Sequence, residues 1–102
     1  MAQARLLSLD YTPRALAELD GVLGQIGEQS PIGAMRVRRR IKAIIIMLAR
    51  HPHAGQKTSI PGLRRIVVTP YPYVVFYQPR ERSVVIIAIR HAARDPDTMP
   101  GE

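Results

Sequence analysis

The chain has 102 residues and no cysteine, which excludes a disulfide scaffold, a thiolate nucleophile and every cysteine-ligated zinc site. That composition is compatible with a reducing, cytoplasmic setting. Long hydrophobic runs are missing too. The longest helical one, Ala43 to Ala49, falls far short of the ~20 residues that cross a bilayer, so no membrane contact is expected. Asp10 ends the short apolar stretch from Leu6 to Leu9, so no secretory signal is expected either. The third absence is of one charge sign: between Glu28 and Glu81 there is no acidic residue.

What is present is enough for a core. Apolar residues make up 46% of the chain and charged residues 23%, which argues against disorder. The length suits one hydrophobic core. A single domain over 1–102 is expected, with its core at about 4–96 and a tail at 97–102.

The net charge of +7 is unevenly placed. Residues 1–30 carry two arginines against four acids, a net of −2. The acid-free interval holds Arg36, Arg38, Arg39, Arg40, Lys42, Arg50, Lys57, Arg64, Arg65 and Arg80. Such a field favours a polyanionic partner, either nucleic acid or an acidic protein segment. A merely solubilising surface is the alternative.

Residues 4–10 read as a first strand. Thr12-Pro13 then supplies an N-cap and a first helical residue, and the helix runs to about Glu28 with Leu16, Leu19, Leu23 and Ile26 on one stripe. Gly21, Gly24 and Gly27 mark either a close approach of a second helix or fraying of the last turn. Ser30-Pro31 repeats the start signal, and His51-Pro52 stops the second helix after Arg50. So short a connection makes the two helices an antiparallel hairpin. On the second helix Met35, Ile41, Ile44, Ile45 and Leu48 form the expected buried face, with Arg36, Arg39 and Arg40 together on another.

From Pro52 to Gly62 the chain reads as a surface loop. Strands are expected at Leu63–Thr69, Tyr73–Gln78 and Ser83–Arg90, joined by hairpin-length turns. The predicted fold is α+β: an N-terminal strand, a two-helix hairpin packed on one face of the sheet, then a three-stranded antiparallel meander, in the order β-α-α-β-β-β. The last strand, VVIIAI, does not alternate with polar residues, so both its faces should be covered. Two helices on one side leave the other to the first strand and the tail folding over it, or to a partner.

Catalytic signatures are sparse. The chain has no Gly-rich phosphate loop, no G-x-S-x-G and no acidic metal cluster, so no metal or cofactor is expected. His51 and His53 flank a proline without further ligands, and read as loop surface. His91 is different, standing in the run Arg90-His91-Ala92-Ala93-Arg94-Asp95. A histidine among arginines can act as general acid or base in phosphodiester cleavage, with the arginines stabilising developing charge. The blander reading, a strand-end turn in which Asp95 pairs with an arginine and His91 caps the sheet, is the favoured one. Tyr71, Tyr73 and Tyr77 pose the same choice between base stacking and packing.

Three segments carry a resemblance: SLDYTPRALAELDGV, PGLRRIVVTPYPYVVFYQ and VVIIAIRHAARDP. With the element order, they make the chain resemble the RelE/ParE superfamily of bacterial type II toxins over roughly residues 5–96. The last segment, a hydrophobic strand running into Arg-His-x-x-Arg-Asp, is similar to the ParE branch. The resemblance implies a toxin bound by an acidic, partly disordered cognate antitoxin in a hetero-oligomer. ParE-like members poison DNA gyrase without catalysis, whereas RelE-like members cleave mRNA in the ribosomal A site with lysines, arginines and often a tyrosine near the C-terminus.

The tail after His91 has no tyrosine, and Lys42 and Lys57 are the only lysines, so the expectation is a gyrase-binding toxin. Target contacts are expected at Arg64, Arg65, Tyr73, Arg90, His91 and Arg94, and antitoxin contacts at Arg36, Arg39, Arg40, Ile87 and Ile89. The first alternative is a ribosome-dependent endoribonuclease using His91, Arg90, Arg94, Arg65 and Lys57. A small basic nucleic-acid-binding module, with Arg36, Arg39 and Arg40 on phosphates, is the second.

Overall fold

Thr12 and Ser30 start the helices as their side chains require. The Thr12 hydroxyl accepts the Ala15 amide at 3.0 Å and that of Ser30 the Gly33 amide at 2.9 Å, and a proline follows each cap. The computed structural model describes residues 6–93. The elements are β1 (Ser8–Tyr11), α1 (Pro13–Gln29), α2 (Pro31–Arg50), β2 (Gln56–Lys57), β3 (Arg64–Val67), β4 (Tyr73–Pro79) and β5 (Ser83–His91). Ala4, Arg5, Arg94 and the tail lie outside the described residues. Among the described residues, no helix is long and apolar enough to cross a membrane.

The architecture is α+β as expected, with two refinements. The strands form one five-stranded sheet in the order β1-β5-β4-β3-β2. β1 does not fold over a face: it lies beside β5 and pairs with it in parallel, so the sheet is mixed. The loop read as irregular contributes β2, whose two residues pair with Arg64 and Arg65.

The main core lies between helices and sheet. It joins Ala15 of α1 and Val37, Ile41, Ile44, Ile45 and Leu48 of α2 to Val75, Tyr77, Val84, Ile86 and Ile89 of the sheet. Two expected core positions are corrected. Met35 is 56% exposed and Leu16 48%. Helical geometry explains both: Met35 projects away from the stripe centred on Ile41 and Leu48, and α1 meets the sheet through Ala15, which leaves Leu16 at the margin. Gly21 and Gly24 have nothing within 4 Å of an added Cβ. At Gly27 an added Cβ would meet Ala34 Cβ of α2 at 3.8 Å, an ordinary contact, and the helix continues to Gln29, so Gly21 and Gly24 mark no close approach and the last turn is not frayed.

The second sheet face is covered at its centre by the loop before β3. Leu63 and Ile60 pack there with Val74, Phe76, Ala88, Ile87 and Ala92. A bulge explains how β5 serves both faces. Phe76 pairs with Ala88 but Tyr77 pairs with Ile86, leaving Ile87 without a partner on β4. Side chains normally alternate, and the extra residue lets Val84 and Ile86 face the helices before it and Ile89 after it. Thr12 braces the bulge: its amide bonds to Ile86 O at 3.0 Å and its hydroxyl donates to Ile87 O at 3.0 Å.

Candidate functional site

The end of β5 brings Arg90 and His91 to opposite faces of the sheet, because neighbouring strand residues alternate. Arg90 stands opposite Val74, and Arg65 opposite Phe76. Val74 and Phe76 share the face away from the helices, so Arg65 and Arg90 flank them there. Arg90 is only 8% exposed. Its guanidinium Nε lies 3.5 Å from Glu18 Oε2. The expectation of Arg90 as a surface contact is corrected: it is a buried cation held by α1.

Glu18 reaches β5 because β1 ends too soon. The parallel pairing stops at Tyr11–Ile86, which leaves the β5 edge open beyond Thr12. There Glu18 Oε1 accepts the Ile89 amide at 3.2 Å, so a side chain takes the place of a strand partner. Arg14, one helical turn before Glu18, adds a long contact of 3.9 Å to the same carboxylate. Sequence reasoning missed Glu18, for which the Arg14–Glu18 spacing is the one local signal.

His91 sits on the helix side of the strand end. Its ring meets Tyr73 edge-on, centroids 5.3 Å apart. Its Nδ1 accepts the Ala93 amide at 3.1 Å, so the neutral ring carries its proton on Nε2. Together with Val22, Gln25, Ile26 and Gln29 of α1, the two rings line a cleft of about 200 Å³.

A second hollow, of about 410 Å³, lies at the far sheet edge, lined among others by His53, Lys57, Leu63 and Arg64. Lys57 and Arg64 are direct cross-strand partners. Arg64 Nη1 donates to Gly55 O at 2.8 Å and His53 O at 3.3 Å, so its guanidinium is fixed by carbonyls without losing charge. Behind it, Gly55 donates its amide to the Tyr77 hydroxyl at 2.8 Å. Burial pushes the Tyr77 phenol above its ordinary range, against the opposing pull of the Gly55 amide and the Arg64 charge. Arg65 next door keeps a buried Nε with no hydrogen-bond partner among the described residues.

Residues expected to act together are therefore divided. Lys57 on β2 and His91 on β5 are separated by two strands, roughly 14 Å of sheet. Arg65 and His91 occupy opposite faces. Of the expected antitoxin contacts, Ile89 is 1% exposed inside the helix-side core and offers no docking surface. Ile87 is half-buried on the other face. Arg36 and Arg39 are exposed on α2, while Arg40 turns aside and donates from Nε to Thr69 O at 2.7 Å.

A family model described as the ParE toxin of type II toxin-antitoxin systems matches residues 9–96. The chain belongs to the ParE toxin family. This toxin is 42% identical over 84 residues to the toxin RelE2 of Caulobacter vibrioides, covering 82% of this chain and 93% of that protein. Its fold resembles a chain of the chromosomal ParDE system of P. aeruginosa, with a TM-score of 0.75 and 21% identity over 84% of this chain and 96% of that one. The E. coli toxin RelE in its free state gives a TM-score of 0.65 at 21% identity, covering 90% of each chain. The toxin is thus a RelE/ParE superfamily member of a type II toxin-antitoxin system, and an antitoxin is its partner.

Proposed function

We propose that this toxin binds DNA gyrase and blocks it without chemistry of its own, acting in the cytoplasm and neutralised there by an acidic antitoxin. The division of the expected nuclease residues carries the reading. A metal-free ribonuclease needs proton-transfer groups and cations around one phosphodiester. Here His91 stands on one face, Arg65 and Arg90 flank the other, and Lys57 lies two strands away. Binding needs no such convergence. Arg64, Arg65, Tyr73 and His91 lie along β3 and the strand ends, where they can meet an extended protein surface, and Arg90 positions the end of β5 through Glu18.

Supercoiling by purified gyrase, measured with and without the toxin, tests this. Inhibition that the antitoxin reverses is expected. Unimpaired supercoiling, with cleavage of mRNA on ribosomes, would refute it.

The second reading, a ribosome-dependent endoribonuclease, draws on the relative named RelE2 and on the hollow where the cations Lys57 and Arg64 stand side by side. It predicts that Lys57→Ala abolishes mRNA cleavage. Under the gyrase reading there is no cleavage to lose.

A further inference from the structure

The outer face of α2 carries a pattern that the toxin's own core does not use. Ile32, Met35, Arg39, Lys42 and Ile46 are spaced three, four, three and four, and all are exposed. That is an a/d seam two heptads long, about 21 Å at 1.5 Å per residue. Ile32, Met35 and Ile46 are 64%, 56% and 46% exposed, unusual for large aliphatic side chains grouped on one stripe. The seam has a defined end: the next d position would be Ala49, which is 4% exposed in the core. A straight helix drifts by ~20° per heptad against such a repeat, and α2 drifts into its own sheet.

The charges decide what can lie on this seam. Its centre is Arg39 and Lys42, and Arg36 and Arg38 border it at the e and g positions, both exposed. α2 has no acidic residue. A second copy of the toxin laid along the stripe sets cations against cations, which disfavours self-pairing. A helix with carboxylates at its central a/d positions and apolar residues at the ends is complementary throughout. We propose that α2 is one strand of a heterotypic two-stranded coiled coil whose other strand is an acidic helix of the antitoxin. Carboxylates lie opposite Arg39 and Lys42, and apolar side chains opposite Ile32, Met35 and Ile46. Because α2 is already held by the core, only the partner helix loses conformational freedom on docking.

This inference rests on the reading that the antitoxin is acidic. It is tested by titrating the full-length cognate antitoxin into the purified toxin. Arg39→Glu/Lys42→Glu is expected to weaken binding at least about 100-fold with circular dichroism unchanged. Arg80→Glu/Arg82→Glu, an equal charge change on the exposed β4–β5 turn, should change it less than about threefold, the scale of a screened rim contact. Lysines at the matching antitoxin positions should restore binding to the Arg39→Glu/Lys42→Glu variant. Equal binding by wild type and that variant overturns the coiled coil while leaving the antitoxin reading intact. A wild-type toxin that binds no acidic antitoxin overturns both. Self-association lost in Ile32→Glu, or duplex DNA binding lost in Arg39→Glu/Lys42→Glu with antitoxin binding kept, assigns the stripe elsewhere and also overturns it.

Discussion

Glu18 and Ile89 are joined as if by a missing strand: the carboxylate of one accepts the backbone amide of the other at 3.2 Å, just past the point where β1 ends. The same carboxylate faces buried Arg90, so α1 holds the last turn of sheet before the chain leaves it. Glu18→Ala leaves that amide without its acceptor and removes the carboxylate from beside Arg90, a loss of about 2 kcal/mol. Glu18→Gln keeps an acceptor and should lose less. Urea unfolding measures both, and amide exchange at Ile89 should accelerate in the alanine variant.

Tyr77 is fully buried, and its hydroxyl is the acceptor for the Gly55 amide. Tyr77→Phe leaves that buried amide unpaired, at a cost of about 1–3 kcal/mol. The pH dependence follows from the raised phenol. The folded state holds the phenolic proton more tightly than the unfolded state, so this contribution is complete below pH 10 and is lost as pH rises beyond it through the folded value. Urea midpoints across this alkaline range should fall more steeply for wild type than for Tyr77→Phe.

Gly55 is fixed by a close approach. A Cβ there would come 2.6 Å from Arg65 O and 2.7 Å from the Tyr77 hydroxyl. Gly55→Ala must therefore push β2 away from β3, at a cost of about 1–3 kcal/mol. Thermal unfolding reads the loss, and the Lys57–Arg64 pair should lose its register.

Arg65 combines a buried Nε, unpaired among the described residues, with a place in the proposed gyrase surface. Arg65→Met removes the unpaired atom while keeping the bulk, and should stabilise the toxin by about 1 kcal/mol. Under the gyrase reading it should also weaken inhibition. Parallel melting curves and supercoiling assays separate the two effects.

Much of this fold is legible in the sequence because the helix starts are written as side-chain chemistry. Thr12-Pro13 and Ser30-Pro31 each place an acceptor and a preset φ at the right residue, and both caps form. β2 is not legible, since Gln56 and Lys57 become a strand only through Arg64 and Arg65 across from them. The exposure of Met35 and Leu16 depends on which side of each helix meets the sheet, a tertiary choice that apolar spacing alone leaves open. The site was harder. Arg90 and His91 read as one cluster in sequence, yet strand alternation separates them, and the acid that buries Arg90 lies 72 positions earlier. Gly55 carries no local mark of its partnership with Tyr77.

Ile87 works as a change of phase. With Ile87 drawn into a regular ladder instead of bulging, β5 would keep a single alternation from Val84 to His91. Everything after the bulge would then turn over, sending the Arg90 side chain toward the helices and Ile89 away from them. The destination of the toxin's terminal cations is therefore set not by their own identity but by the parity of the strand leading to them. Deletion of Ile87 joins Ile86 to Ala88 opposite the adjacent partners Tyr77 and Phe76, so the side chains after it should keep their faces.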